Sequence, residues 1–375
     1  MKIVADDKIP FLKGVFEPFA DVLYLPGEAI DKGQLVDADA LIIRTRTRCN
    51  EQLLKGTKVK FIATATIGYD HIDTAWCKAN GIEWTNAPGC NSGSVYQYMA
   101  SVLLTLAASH NFSLSNRTLG VIGVGNVGKK IVRLAEHLGI QVLLNDPPRA
   151  RKEGMCGFIS LDGILRDCDI ITCHVPLIMD GEDKTYHLID EKFLCKVNKG
   201  TILINSSRGE VVDTGALKNH LLKPLRLAGA VLDVWENEPN IDSEVLSRVD
   251  IATPHIAGYS ADGKVNGTAM SVQAISRFFN LPLKMWVPEE IPSPEHPEII
   301  IECSGRSVQD ILTEAVLFTY NVMDDNNRLR QSVATFEKQR GNYPLRREFR
   351  AFTVKLINPH SGVDQKIKNL GFQLK

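Results

Sequence analysis

Length, composition and charge give this chain the profile of an ordinary globular protein. It has 375 residues, 44% hydrophobic and 23% charged, which is enough for two or three domains. Its 43 Lys and Arg residues nearly balance its 44 Asp and Glu residues, so the net charge of −1 gives no reason to expect a nucleic acid partner. No run approaches the roughly 18 apolar residues of a membrane span, and the first residues include acids where a secretory signal would be apolar, so we expect no membrane partner.

The eight cysteines are scattered along the chain, and no two of them form a Cys-x-x-Cys pair. This spread is typical of separate buried thiols in a reducing compartment. We therefore predict a cytoplasmic protein without a metal site.

Short strand and helix patterns alternate through residues 1–94, and strands are expected in "MKIVAD", "DVLYLP", "DALIIRT", "KFIATAT" and "GIEWTNAP". A strongly apolar helix is predicted over residues 95–109. Val95, Tyr98, Met99, Val102 and Leu106 keep the helical period. This helix is too apolar for a free surface, so we expect it to pack against another domain or another subunit.

The segment "GVIGVGNVGKKIVRLAEHLGIQVLLND" combines a strand, Gly123-x-Gly125-x-x-Gly128, a helix and a second strand that ends at Asp146. The glycines permit a tight turn, and they let the N–H groups of the helix start, at Asn126 and Val127, approach a pyrophosphate. A carboxylate about 20 residues further on can accept hydrogen bonds from an adenosine ribose. This arrangement predicts an NAD site, and the charge of Asp146 disfavours NADP.

Further strand and helix units follow, so we predict an α/β fold with a doubly wound parallel (Rossmann) sheet and polar residues at the carboxyl ends of its strands. Arg208, Glu238 and His255 each follow a predicted strand. His255 could take a hydroxyl proton, Glu238 could orient its ring, and Arg208 could bind a carboxylate with its planar fork. Alternatively, His255 and Glu238 could stabilise turns, and Arg208 could form a structural ion pair.

Together with the nucleotide motif, these three residues resemble the D-isomer-specific 2-hydroxyacid dehydrogenases, and the resemblance covers about residues 1–285. It implies a flavodoxin-like substrate domain (1–94 and 256–285), an NAD-binding domain (95–255) and catalytic roles for Arg208, Glu238 and His255. A proline-rich segment near 284–298 precedes a small α/β domain (286–375). The resemblance implies that this domain forms a homodimer, which the helix 95–109 would also help to join.

The resemblance extends to individual contacts. It implies substrate contacts at Thr45, Thr66 and Tyr259, and cofactor contacts at Val175, Ser206, Ser207, Asp233 and Gly258. The family can have threonine at the position of Val175, so contact through the backbone is the alternative to a side-chain contact there. The strings "NDPPRA", "APGCN", "TATIGYDHID" and "HIAGYS" are similar to a member that oxidises a four-carbon 2-hydroxy acid with a 4-phosphate during the synthesis of pyridoxal 5′-phosphate.

A second anionic group on the substrate would require further cations. "IIRTRTR" follows a predicted strand, and alternate spacing in an extended segment would put Arg44, Arg46 and Arg48 on one face. We expect Arg44 and Arg46 to bind the phosphate, although an exposed basic edge is the alternative. Arg346, Arg347 and Arg350 could complete this site or simply cover a solvated helix face.

Two other functions are compatible with these patterns. One is oxidation of 3-phosphoglycerate or another D-2-hydroxy acid. The other is a non-catalytic protein that senses NAD on the same scaffold, because such a protein could keep every residue of the site.

Overall fold

The computed structural model describes residues 1–223 and 226–375, which divide into two compact units. The first unit consists of Met1–Asn91 and Ser260–Pro292, and the second consists of Ser92–Tyr259 and Ser293–Lys375. No described helix is long and apolar enough to cross a membrane.

The first unit is built on a five-stranded parallel sheet with the order β2-β1-β3-β4-β5. This is the strand order of flavodoxin-like folds, as predicted. Its central strands β3 and β4 are buried along their whole length because both faces of the sheet are covered. The elements are β1 (Lys2–Asp6), β2 (Asp21–Leu25), α1 (Lys32–Leu35), β3 (Ala40–Ile43), α2 (Glu51–Leu54), β4 (Phe61–Thr64), α3 (Thr74–Ala79) and β5 (Glu83–Thr85).

The second unit begins with α4 (Ser92–Ser109) and contains a six-stranded parallel sheet with the order β11-β10-β9-β8-β6-β7. The strand order reverses between β6 and β8. This switch point lies at the carboxyl ends of the two strands, where the glycine motif follows β6. The elements after α4 are β6 (Thr118–Ile122), α5 (Asn126–Leu138), β7 (Gln141–Asn145), α6 (Pro147–Glu153), α7 (Leu161–Asp167), β8 (Ile170–Cys173), α8 (Glu191–Lys196), β9 (Thr201–Asn205), α9 (Thr214–Leu222), β10 (Leu227–Leu232), α10 (Ser243–Arg248) and β11 (Ile251–Ala252).

The chain returns to the first unit in α11 (Ala261–Phe278), which packs on β4. A Cβ atom on Gly267 would lie 2.7 Å from the carbonyl oxygen of Ala65, so glycine lets this helix approach the strand end closely. No regular helix or strand is present between the end of α11 and residue 298, which agrees with the linker predicted near 284–298.

The C-terminal segment forms a separate three-stranded parallel sheet with the order β12-β13-β14. Its elements are β12 (Glu298–Glu302), α12 (Val308–Thr319), α13 (Val322–Gln331), α14 (Phe336–Gly341), β13 (Thr353–Ile357), α15 (Val363–Leu370) and β14 (Gln373–Leu374). It shares one apolar core with α4 and α5. The division of the chain at residue 286 therefore stays a prediction.

The apolar helix α4 begins at Ser92, three residues before the predicted start, and its apolar residues are buried within one chain. It packs against α5 on one side and against α12 and α13 of the C-terminal segment on the other. The expectation of a packing partner was right, but the partner belongs to the same chain. Because this surface is already covered, the prediction that α4 joins two subunits was wrong.

Candidate active site

The turn between β6 and α5 contains the three glycines of the nucleotide motif. Gly123 has a φ angle of 86°, and a Cβ atom there would lie 2.6 Å from the carbonyl oxygen of His174. A Cβ atom on Gly128 would lie 2.1 Å from the carbonyl oxygen of Gly123, whereas one on Gly125 would meet no atom within 4 Å. Gly123 and Gly128 are thus needed for the turn itself, and Gly125 leaves open space for a pyrophosphate at the helix N-terminus.

Asp146 lies beside this turn, as the sequence predicted. One carboxylate oxygen accepts a hydrogen bond from the Val124 N–H at 2.8 Å, and the other accepts one from the Arg149 N–H at 3.1 Å. Each oxygen has a further lone pair, so the carboxylate can still accept hydrogen bonds from a ribose. No sequence pattern indicated the Arg149 side chain, which donates to the Val124 carbonyl at 2.7 Å and forms an ion pair with Glu153.

Three further predicted cofactor residues follow β8 and β9. Val175 lies against the glycine turn, because its Cγ1 would be 2.8 Å from a Cβ atom on Gly123. Ser207 is buried and donates both its N–H and its hydroxyl to the Asn205 side chain. The Ser206 hydroxyl oxygen is buried without a hydrogen-bond partner among the described residues. Of the two serines, Ser206 therefore has the hydroxyl that a ligand could satisfy.

His255 and Glu238 form a hydrogen-bonded pair. The Nδ1 atom of His255 lies 2.8 Å from Oε2 of Glu238, and the other Glu238 oxygen accepts a hydrogen bond from the Trp235 N–H at 2.9 Å. Burial raises the pKa of Glu238, but the hydrogen bond and charge of His255 outweigh burial and hold that pKa below its ordinary value. The His255 side chain remains 33% exposed, so this pair presents an oriented imidazole at an accessible surface.

The backbone around His255 is held by a buried carboxylate. Asp233 accepts hydrogen bonds from the hydroxyl of Thr253 at 2.6 Å, from the N–H of Ile256 at 2.8 Å and from the N–H of Ala257 at 2.9 Å. The His255 N–H donates to the Asp233 carbonyl oxygen at 2.7 Å. These bonds hold His255 at a φ angle of 57°, in the left-handed region that non-glycine residues rarely adopt. Asp233, predicted as a cofactor contact, thus orients the loop, in which Gly258 follows Ala257.

Arg208 follows β9, and its neighbour Gly209 packs directly on the backbone after β10. A Cβ atom on Gly209 would lie 2.0 Å from the carbonyl carbon of Trp235, which is three residues before Glu238. The Arg208 guanidinium donates a hydrogen bond to the Ser207 carbonyl oxygen at 2.9 Å. Strands β9, β10 and β11 are neighbours in the sheet, so Arg208, Glu238 and His255 follow three adjacent strand ends.

The first unit contains the predicted substrate residues Thr45 and Thr66. Thr45 is exposed and, with seven other residues, lines an open pocket of about 460 Å³ at the carboxyl ends of β3 and β4. The Thr66 hydroxyl bonds to the Gly68 carbonyl oxygen at 3.0 Å and to Thr64, whose hydroxyl is 3.2 Å from Nε2 of His71. His71 was not among the predicted site residues. Burial lowers its pKa to about 4, so this network contains a neutral imidazole at pH 7.

The expected extended segment with Arg44, Arg46 and Arg48 on one face was wrong. Strand β3 ends at Ile43, and the chain turns at residues 45–46. Two contacts hold the turned segment: the ion pair of Arg44 with buried Asp6, at the end of β1, at 3.3 Å, and the hydrogen bond from the buried Thr47 hydroxyl to the Gly27 carbonyl oxygen at 2.8 Å. Arg46 and Arg48 are exposed.

The tail arginines do not share one solvated helix face, although Arg350 is exposed in a short 3-10 helix at Phe349–Ala351. Arg346 is only 4% exposed, and the segment 342–348 contains no helix. Arg346 contacts Ala257, two residues after His255, and Arg340, which no sequence pattern indicated, lies beside Tyr259.

Among the described residues, one group of side chains could hold a metal ion. Ligand atoms of Glu191, Cys195 and His220 lie within 4.8 Å of one another on α8 and α9. Here the three side chains bond to one another: His220 lies 3.0 Å from Glu191, which also accepts from the Cys195 thiol at 3.3 Å. The hydrogen bond to Glu191 raises the pKa of this thiol, which favours the protonated form that binds metals poorly.

The glycine turn at the switch point and the Arg, Glu and His residues at adjacent strand ends define a class of NAD-dependent dehydrogenases. Residues 99–257 match the family model described as "D-isomer specific 2-hydroxyacid dehydrogenase, NAD binding domain". The D-lactate dehydrogenase of Aquifex aeolicus, solved with NAD and lactic acid, is 27% identical with a TM-score of 0.61, and the match covers 75% of this chain and 96% of that one. An NAD-bound 3-phosphoglycerate dehydrogenase of Entamoeba histolytica is 26% identical with a TM-score of 0.62, covering 78% and 99%.

Sequence relatives define the family more narrowly. Erythronate-4-phosphate dehydrogenase of Bacteroides thetaiotaomicron is 51% identical over 355 residues, covering 94% of this chain and 99% of the relative. The enzyme of the same name from Porphyromonas gingivalis is 44% identical, covering 94% and 95%. Residues 291–371 match a domain of unknown function. The chain therefore belongs to the erythronate-4-phosphate dehydrogenase family, and it is an oxidoreductase with NAD as its cofactor.

Substitutions at two glycines should distinguish the glycine that the turn needs in order to fold from the glycine that NAD binding needs. We predict that Gly128→Ala destabilises the protein by about 2 kcal/mol or more, because the new methyl group overlaps the Gly123 carbonyl. Gly125→Ala should unfold at nearly the normal temperature but bind NAD at least tenfold more weakly, because it fills the open space. Thermal unfolding and NAD titration measure both effects. Equal loss of stability in the two variants would contradict this assignment.

Proposed function

We propose that the protein oxidises the C2 hydroxyl of 4-phospho-D-erythronate with NAD, giving 2-oxo-3-hydroxy-4-phosphobutanoate during the synthesis of pyridoxal 5′-phosphate. The observation that carries the proposal is the 2.8 Å hydrogen bond between His255 and Glu238, in the unit that contains the glycine turn. The names of the relatives supply the substrate.

His255 is the proposed base. Because Nδ1 donates to Glu238, Nε2 keeps its lone pair and can accept the proton of the C2 hydroxyl. Bound NAD supplies the acceptor for the hydride that leaves C2. Glu238 stabilises the imidazolium that results, and in the reverse direction the same imidazolium returns its proton to the 2-oxo group.

Arg208 is the proposed partner of the substrate carboxylate. A guanidinium presents two parallel donors to a carboxylate, and its charge favours the electron density that develops on the C2 oxygen. Its place at the end of β9, next to the strand ends of Glu238 and His255, supports this role.

Replacing the proposed base should mainly affect turnover. We predict that His255→Asn lowers kcat by about 10²–10⁴, the usual contribution of a positioned acid or base. Because His255 follows β11, away from the glycine turn after β6, the Kd for NAD should change little. Steady-state NADH formation and fluorescence titration of NAD provide the two values. A variant with near-normal turnover would show that His255 only stabilises a turn.

Asp146 is the proposed determinant of NAD over NADP, because its charge repels a 2′-phosphate. We predict that Asp146→Ser narrows the preference, since serine can still cap α6 while the charge is lost. The ratio of kcat/KM for the two cofactors measures this. Equal use of NAD and NADP by the unmodified protein would refute the role of Asp146.

The first unit supplies the proposed phosphate site, with Arg44 and Arg46 as its cations and Thr45 and Thr66 as hydroxyl donors. The ion pair between Arg44 and buried Asp6 supports a fixed position for that guanidinium. Tyr259 is a further proposed substrate contact. Val175, Ser206, Asp233 and Gly258 are the proposed surroundings of the nicotinamide.

The two arginines should discriminate between phosphorylated and unphosphorylated substrates. A charge-assisted hydrogen bond contributes about 1.5–3 kcal/mol, so Arg44→Ala and Arg46→Ala should each raise KM for 4-phosphoerythronate roughly ten- to a hundredfold. Neither should alter the poor use of erythronate, and Lys55→Ala, which removes an exposed cation elsewhere in the same unit, is the control. If these two variants impair the oxidation of both substrates equally, the phosphate site lies elsewhere.

The alternatives are an enzyme for 3-phosphoglycerate or another D-2-hydroxy acid, and a protein that only senses NAD. Steady-state NADH formation with a panel of phosphorylated and unphosphorylated 2-hydroxy acids separates them. A preference for 3-phosphoglycerate would support the first alternative, and NAD binding without turnover of any acid would support the second.

We also propose a cytoplasmic homodimer joined through the C-terminal domain. The exposed apolar residues Ile300, Phe318 and Leu345, with 65%, 48% and 53% of their surface exposed, support an interface in this domain. The free state of all eight cysteines suits a reducing compartment.

Charge on the proposed interface should dissociate the subunits. We predict that the unmodified protein sediments as a dimer at micromolar concentration and that Ile300→Glu, on the edge strand β12, shifts it toward monomer. Met179→Glu, which alters an exposed apolar residue outside this domain, should remain dimeric. An unmodified protein that sediments as a monomer would rule out the homodimer.

A further inference from the structure

The C-terminal domain reaches the loop of His255, defined here as residues 253–259. The Arg346 guanidinium is buried and donates a hydrogen bond to the Ala257 carbonyl oxygen at 2.6 Å and a longer one to the Ser94 carbonyl oxygen at 3.4 Å. It also lies 4.5 Å from the centre of the Tyr320 ring. Arg346 therefore binds a carbonyl of the His255 loop, while Asp233 binds N–H groups of the same loop.

Arg340, on α14, lies beside side chains of the proposed site. Its guanidinium carbon is 5.9 Å from the centre of the Tyr259 ring, and it forms an ion pair with Glu337 at 2.9 Å. The Nε atom is buried without a hydrogen-bond partner among the described residues. The positive charge is also close enough to Glu238 to help lower the pKa of that carboxyl.

We propose that Arg340 is a positioning residue for the dehydrogenase reaction, so that the C-terminal domain tunes the His255–Glu238 pair as well as joining subunits. This inference rests on the proposed function. Burying a guanidinium costs free energy, and a single surface-type ion pair recovers little of it. The cation lies beside Tyr259 and acts on the Glu238 carboxylate, so a role in the reaction would account for its burial.

The expected effect follows from the charges around the pair. Around the pair, Asp233 lies within electrostatic range of His255, Arg340 acts on Glu238 and lies beside Tyr259, and Arg208 follows the adjacent strand β9. Arg340 favours the carboxylate form of Glu238, and its positive charge disfavours a second positive charge on the neighbouring imidazole ring. Without that cation, the pair should become protonated at higher pH.

The test compares Arg340→Met with Arg340→Lys, which keeps the charge. Arg340→Met should lower kcat/KM for 4-phosphoerythronate about tenfold at pH 7, move the acidic limb of the pH profile to higher pH and leave the Kd for NAD unchanged. Arg340→Lys should return the acidic limb of the pH profile to the pH at which it lies in the unmodified protein. Arg306→Met removes an arginine that pairs with Glu314 in the same domain, and it should behave like the unmodified protein. Sedimentation of each variant checks that the assembly is unchanged.

A second readout does not depend on turnover. The titration of the His255 ring, followed by NMR in protein with labelled histidines and assigned with His255→Gln, should move to higher pH in Arg340→Met. An unmoved titration would overturn the proposal, even if activity falls. A moved titration in a protein that oxidises none of the acids would support the coupling and would instead refute the proposed function.

Discussion

The arrangement of the site depends on one buried carboxylate. Asp233 is fully enclosed at the end of β10, where burial raises its pKa, yet it accepts three hydrogen bonds from the loop that follows β11. Three donors directed at two oxygens suit the ionised form, because a protonated carboxyl would direct a hydrogen at one of them. These bonds offset the desolvation of the carboxylate. They also hold His255 in a left-handed conformation that its side chain would not favour alone.

The parts of the fold that sequence could predict are those with local rules. Within one strand–turn–helix–strand unit, the turn gives Gly123 a positive φ, Gly128 packs on the Gly123 carbonyl and Asp146 accepts from the Val124 N–H, so their spacing predicts their places. The three candidate catalytic residues could be predicted because parallel strands end at one edge of a sheet. Neither rule needs knowledge of distant contacts.

The remainder depends on contacts between residues far apart in sequence. The turn after Ile43 is held by contacts such as the ion pair of Arg44 with Asp6 from another strand, in place of the extended geometry that alternate spacing implied. Helix α4 packs against α5, α12 and α13. Its apolar residues predicted that the helix is buried, but they could not indicate which elements cover it. Arg346 reaches Ala257 across 89 positions of sequence, and no local pattern could indicate that contact.

The hydrogen bond between His255 and Glu238 determines more than the ring orientation. The pKa of Glu238 is lowered, so the ionised carboxylate can only accept, and the proton in the 2.8 Å contact must belong to Nδ1 of His255. The tautomer that leaves a lone pair on Nε2 therefore follows from the charge of Glu238. Three partners oppose the desolvation of that charge in its largely buried position: His255, the N–H of Trp235 and Arg340. The base of the proposed reaction is therefore prepared by charges contributed from two parts of the chain that are nearly a hundred residues apart.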